Sequence, residues 1–292
     1  MDLHELSELL ALPSLVSDLD ALEAAMVDVL READTLDALV EPGIRVVTGG
    51  GKRLRPTLTI AAGAVGGAPA NDHVTAAGVA VELVQVGSLV HDDLMDHAKT
   101  RRGVETVNAR EGLNWAILVG DYLLAVAGIQ AASVSADVAH SLARTIADLA
   151  AGQGREVTRQ GDPKRSVAEY EASILGKTAA LMRCSAKVGA QAAGMGPAEV
   201  DALAACGEGF GMACQIIDDV LDAVATSEQR RQPAPDAEID PRHLVARVLV
   251  VHVVAFFGRD HLERQLVVVA QEDAPLAGLG NHRRPLQDLD DR

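Results

Sequence analysis

Aromatic side chains are almost missing from this sequence: three Phe, two Tyr and one Trp in 292 residues. A chain so poor in rings must build its core from smaller aliphatic groups, and any apolar cavity it encloses has few bulky side chains to block it. Cysteine is equally scarce. Cys184, Cys206 and Cys214 form neither a paired framework nor a metal-like spacing, so free buried thiols in a reducing compartment are expected. Basic residues are outnumbered, with 26 Lys and Arg against 42 Asp and Glu and a formal charge of −16. That balance excludes a general nucleic-acid binder, which needs a broad basic footprint. The nine histidines show no metal-ligand spacing. The N-terminus lacks the basic start and apolar run of a signal peptide, and the most apolar late stretch, 244–257, is too short to span a bilayer and carries Arg247 and His252. No transmembrane segment is expected, and the expected location is cytoplasmic.

What the chain does have is apolar content, 48% of its residues, enough to fill a sizeable core. Ala, Leu, Val and Glu recur at three- and four-residue spacing over 15–30, 74–90 and 142–157, which predicts helix. Gly and Pro clusters at 41–43, 49–51, 66–69, 161–163 and 194–197 divide the chain into about eight helical pieces. No alternating strand pattern stands out. The β-branched run 245–257 reads equally as strand or buried helix. The expected fold is all-α, with one bundle over 1–228 and a divergent segment over 229–292.

Two acidic clusters carry the first chemical signal. Asp92, Asp93 and Asp96 follow the apolar run 81–90, and Asp218, Asp219 and Asp222 repeat the spacing after the apolar run 210–217. On a helix the first and last Asp of each triplet share a face at i,i+4, with the middle one a step around. Such like charges repel by a few tenths of a kcal/mol, which makes a solvated helix end a fair account of one triplet but a poor one of two. Oxygen-only donors suit hard cations, and magnesium in particular combines one or two carboxylates with substrate phosphates.

A cationic counterpart is present. Gly49, Gly50 and Gly51 precede Lys52, Arg53 and Arg55, and Arg101 and Arg102 follow the first acidic cluster. Glycine permits close approach of backbone to an anion, and arginine binds phosphate oxygens bidentately. The glycine run is not a nucleotide P-loop, because Arg53 stands where that motif needs Ser or Thr after the lysine.

In order along the chain, Gly50-Gly51-Lys52-Arg53-Leu54-Arg55-Pro56, His91-Asp92-Asp93-Leu94-Met95-Asp96, Arg101-Arg102-Gly103, Gly176-Lys177-Thr178 and Gln215-Ile216-Ile217-Asp218-Asp219-Val220-Leu221-Asp222 resemble the motif set of the trans-isoprenyl diphosphate synthase family. The resemblance covers about 22–225. It implies an isoprenoid-synthase-type helical bundle around a central apolar cavity, a homodimer, and a magnesium-dependent prenyltransferase that joins isopentenyl diphosphate to an allylic diphosphate. By that resemblance the six Asp residues hold Mg2+, with several ions per site. Arg101, Lys177, Thr178 and Gln215 would meet the allylic diphosphate. Lys52, Arg55 and Arg102 would meet isopentenyl diphosphate, with Gln85 replacing the histidine common in the family, and Arg53 is counted among the substrate-binding residues.

Family members set product length with the residues just before the first acidic cluster. Here Gly87 and Ser88, with Val84 a turn deeper, are small, which implies an open path and a product of C20 or longer. The stretch after Asp222 departs from the family, with no Gly-Lys loop, no Thr-Leu-Pro helix start and no lysine beyond Lys187. That departure raises two other readings, a non-catalytic partner of another synthase and an inactive variant. A terpene cyclase fits less well, since those enzymes carry a mixed Asn/Ser/Glu second motif.

Overall fold

A computed structural model describes residues 3–33, 35–68, 71–159 and 166–224. The segment 229–292, with its divergent character and the 245–257 ambiguity, lies outside the described residues. In chain order the helices are α1 (Leu3–Leu9), α2 (Leu15–Glu32), α3 (Asp37–Thr48), α4 (Leu54–Val65), α5 (Asp72–Met95), α6 (Val107–Arg110), α7 (Leu113–Val134), α8 (Ala136–Arg159), α9 (Val167–Ile174), α10 (Ala180–Ala192) and α11 (Pro197–Val224). A π-helical turn, Leu175–Ala179, joins α9 to α10. A two-stranded antiparallel ribbon, β1 (Thr100–Arg101) and β2 (Val104–Glu105), follows α5.

α5 is the axis of the bundle. Asn71 caps its N-terminus by accepting the Val74 amide, and the helix then runs through a stretch apolar on nearly every side. Val74, Ala77, every residue from Val79 to Val84, Val86 and Val90 are buried, Glu82 at 5% exposure among them. A helix of this kind is stable only when enclosed, and α7, α4, α10 and α2 enclose it. Each fully buried aliphatic side chain contributes about 1.5–3 kcal/mol relative to exposure.

Three helical stretches, Asp72–Met95, Leu113–Val134 and Pro197–Asp219, are long and apolar enough to cross a membrane by length and composition alone. The expectation of no transmembrane segment rests on the late 244–257 run and does not weigh these three stretches of the described residues. Enclosure accounts for α5, 67% of whose apolar window is buried within the bundle, but not for the other two, where 33% and 39% of the window is buried.

The ribbon was not anticipated. Its two-residue turn has both Arg102 and Gly103 at positive φ (52° and 78°), the backbone of a type I′ hairpin, which pairs Arg101 with Val104. The strands are too short to leave an alternation in the sequence.

Leu123 of α7, fully buried against α5, tests this packing. Leu123→Ala is expected to lower unfolding free energy by about 3 kcal/mol in urea titration; a loss below about 1 kcal/mol would contradict the tight α5–α7 contact.

Candidate active site

The C-terminal end of α5 delivers the first acidic cluster. Asp92 and Asp96 share a face, and Asp96 closes the helix as its C-cap residue. Burial raises the Asp92 carboxyl above its ordinary value; Lys177 and Arg101 pull it down while Asp96 and Glu156 push it up, which places all five groups in one electrostatic neighbourhood. Asp93 points elsewhere. It is 5% exposed and accepts Arg101 Nε at 2.8 Å, and burial outweighs that partner to raise its pKa as well.

Lys177 and Thr178 sit on the π-helical turn, and the turn is held close to α8 by two glycines. A Cβ on Gly152 would lie 2.5 Å from the Lys177 amide nitrogen, and one on Gly176 would lie 2.8 Å from the Gly152 Cα. Only glycine at both positions lets the backbones meet. Lys177 Nζ donates to Glu156 Oε2 at 2.6 Å, so the lysine is held beside Asp92 by a glutamate from α8.

The second cluster belongs to α11. Asp218 is exposed, whereas both oxygens of Asp219 accept protein donors: Tyr170 Oη at 2.6 Å and Gln215 Nε2 at 2.8 Å. Thr178 Oγ1 in turn donates to Gln215 Oε1 at 2.7 Å. Asp222 falls on the last turn of α11, and its side chain is outside the described residues. In each triplet the middle carboxylate is thus engaged by protein groups.

The basic loop between α3 and α4 is the other half. Lys52 is exposed there, and Arg55, on the first turn of α4, is half-buried, with a buried Nε that has no hydrogen-bond partner among the described residues. Burial lowers the Arg55 pKa, opposed by Glu82 and by Cys214 and reinforced by Arg102. The Cys214 thiol, pushed up to about 11 by burial first and then by Asp218, feels the positive charges of Arg55 and Lys52. The basic loop therefore faces α11 one helical turn before Asp218. Arg102 reaches the same loop through its hydrogen bond to the Gly50 carbonyl.

Arg53 requires a correction. Grouped by sequence with the substrate-binding cations, it is 5% exposed and turned inward. Nε donates to Glu23 Oε1 at 2.5 Å, Nη1 to Glu82 Oε1 at 2.9 Å and Nη2 to the Val47 carbonyl at 2.7 Å. Burial disfavours its charge, but Glu23 and Glu82 outweigh that and raise its pKa. Its backbone is left-handed, φ 47°, a conformation that costs a non-glycine residue about 1 kcal/mol and persists here because three elements hold the guanidinium. Arg53 shapes the loop and leaves Lys52 and Arg55 to face an anion.

The chain-length residues also need revision. A cavity of about 450 Å3 opens beside Asp92, lined by Ser88, Met95, Leu124, Ile146, Leu149 and Val157, with Lys177 also on its wall. Ser88 lines it. Gly87 does not: a Cβ there would stand 3.2 Å from the Gly120 carbonyl and 3.3 Å from Leu123 Cβ, so its smallness serves the α5–α7 crossing. Val84 is fully buried in the core. Gln85 lies half-buried on α5, two turns before Asp92.

Sequence reasoning missed Glu156, Tyr170 and the Arg53 partners. Glu82 carried a signal, since a glutamate inside the run 79–86 must find a buried cation. Among the described residues no three His, Cys, Asp or Glu side chains group as a metal cage. The donors that remain available, Asp92 and Asp96, are hard oxygen ligands of the kind that complete a shell with phosphate oxygens and water.

The profile of the Polyprenyl synthetase family matches residues 37–241, and the chain belongs to that family. The match begins after residue 22 and runs past 225, into the stretch that lacks the Gly-Lys loop. The nonaprenyl diphosphate synthase of Mycobacterium tuberculosis is 34% identical over 68% of this chain and 59% of its own length. The heptaprenyl diphosphate synthase component 2 of Bacillus subtilis is 32% identical over 74% and 62%. The chain thus spans about three fifths of the length of these relatives. A polyprenyl synthase from Caulobacter crescentus, solved with calcium and isoprenyl diphosphate, superposes with a TM-score of 0.68 at 31% identity, covering 77% of this chain and 66% of that one.

Arg53→Met is expected to destabilise the protein by about 3 kcal/mol, because it strands Glu82 in the interior, while Lys52→Ala stays within about 0.5 kcal/mol. Urea unfolding of the two variants checks this, and equal stabilities would contradict the inward role of Arg53.

Proposed function

We propose that the protein is a magnesium-dependent prenyltransferase that extends an allylic diphosphate with isopentenyl diphosphate. The observation that carries the reading is the placement of Asp92 and Lys177 on the wall of an apolar cavity, with Arg101 in the same electrostatic neighbourhood. Asp92 and Asp96 from α5 and Asp218 from α11 would hold Mg2+ against the diphosphate, and the ions would stabilise the charge on the leaving group. The Caulobacter relative, solved with calcium and isoprenyl diphosphate, supports a divalent ion and that substrate class.

Lys177 and Arg101 bring fixed positive charge to the phosphate oxygens, where negative charge grows as the allylic carbon–oxygen bond breaks. Lys52, Arg55 and Arg102 hold isopentenyl diphosphate on the loop side, so that its double bond meets the allylic carbon. The cavity walls Leu124, Ile146, Leu149 and Val157 keep water from the cation formed there and receive the growing chain. No Phe, Tyr or Trp is among its described lining residues, which supports a product of C20 or longer.

The working unit in this reading is a homodimer in the cytoplasm. α7 turns Leu113, Ile117, Leu118 and Ile129 outward, each at least 41% exposed, apolar groups on either side of the exposed Asp121 that a second copy would cover. The name of the Bacillus subtilis relative, component 2, favours a second reading in which a different subunit completes the enzyme.

Purified protein with Mg2+, labelled isopentenyl diphosphate and C5 to C20 allylic primers is expected to yield extended products, and Asp92→Ala to lower kcat/KM at least a hundredfold. Extension absent with every primer would refute activity of the chain alone. In sedimentation equilibrium the wild type is expected to run as a dimer and the Ile117→Glu, Leu118→Glu double variant as a monomer; a wild-type monomer would refute the homodimer.

A further inference from the structure

Tyr170 lies on the first turn of α9, which starts at a capping box: Ser166 Oγ accepts the Glu169 amide, and Glu169 Oε2 accepts the Ser166 amide. This fixes the phenol where it reaches α11, 49 residues on, and donates to Asp219 Oδ2 at 2.6 Å. A hydroxyl bound to a carboxylate at that length is charge-assisted, roughly twice as strong as a neutral bond. The other oxygen of Asp219 takes Gln215 Nε2, and Gln215 Oε1 takes Thr178 Oγ1. Four side chains from α9, the π-helical turn and α11 thus form one directed chain. Direction matters at Gln215. With its carbonyl accepting from Thr178 and one N–H given to Asp219, the amide has a single orientation, and its second N–H remains to donate.

We infer that Tyr170 is a positioning residue for the diphosphate end of the site, acting through Asp219 to fix the Gln215 amide and the Thr178 hydroxyl. The inference rests on the prenyltransferase reading and adds to it a residue that touches neither substrate nor metal. Without the phenol, one oxygen of Asp219 loses its donor, the carboxylate rotates, and the Gln215 amide loses the anchor that selects its orientation. A tyrosine that only stapled α9 to the bundle would affect stability and leave affinity unchanged.

The test uses the full chain as wild type, Tyr170→Phe, Asp219→Asn and the double variant. Calorimetry measures Mg2+-dependent binding of inorganic pyrophosphate, kinetics measures both KM values, and thermal unfolding measures Tm. Tyr170→Phe is expected to weaken pyrophosphate binding about tenfold and to raise KM for the allylic diphosphate but not for isopentenyl diphosphate, at little change in Tm. The double variant should lose no more than Asp219→Asn alone, since both act through one chain. Unchanged pyrophosphate affinity in either single variant, a Tm loss without an affinity loss, or additive losses in the double variant would overturn the role of Tyr170. Wild-type protein that binds pyrophosphate with Mg2+ yet extends no primer counts against the enzyme reading only, and the affinities still decide Tyr170. Absence of that binding in the wild type overturns both.

Discussion

The enclosure of α5 is the constraint on which the rest depends. A helix buried along Val74 to Val90 has one place to carry charge, its C-terminal end, and there the chain sets Asp92, Asp93 and Asp96. Their positions are as rigid as the packing beneath them. Gly87 brings α7 close, and the Arg53 guanidinium clamps Glu82 to the loop that presents Lys52 and Arg55. One buried ion pair therefore links the acidic helix to the basic loop. A buried pair of this kind is weak support for stability in itself, but removal of one partner is severe, and that asymmetry makes it a device for register.

Much of this was legible in the residues. The helices follow from three- and four-residue apolar spacing, and the acidic and basic groups from their repetition in a recognisable order. The parts that were not legible share a cause: they depend on partners distant in sequence. Arg53 reads as one more cation beside Lys52 until Glu23 and Glu82 are seen around it. Gly87 reads as open space until α7 fills it. Tyr170 carries no motif, and only the fold brings it to Asp219. The hairpin at Arg102 and Gly103 is too short for periodicity, and the π-helical turn is specified by the contact of Gly152 with Gly176.

In the proposed reading a chain with net charge −16 handles a diphosphate because the charges are arranged locally. Lys52, Arg55, Arg101, Arg102 and Lys177 gather at one end of the bundle, and in the proposed reading the carboxylates there would recruit further positive charge in the form of metal ions. Burial first, and Asp96 with it, disfavour ionisation of Asp92 and raise its pKa. Asp92 is thus held in a state that a bound cation relieves. Binding of metal and binding of diphosphate should then be coupled, each improving the other by the same factor.

That coupling is the most direct measure of the central claim. Mn2+ titrated into the purified protein, followed by electron paramagnetic resonance of the free ion, gives the metal affinity with and without an unreactive allylic thiodiphosphate. The account predicts at least a tenfold tightening in its presence, equal to about 1.4 kcal/mol or more of coupling. Mn2+ affinity that is the same with and without the diphosphate would contradict a shared site between α5 and α11.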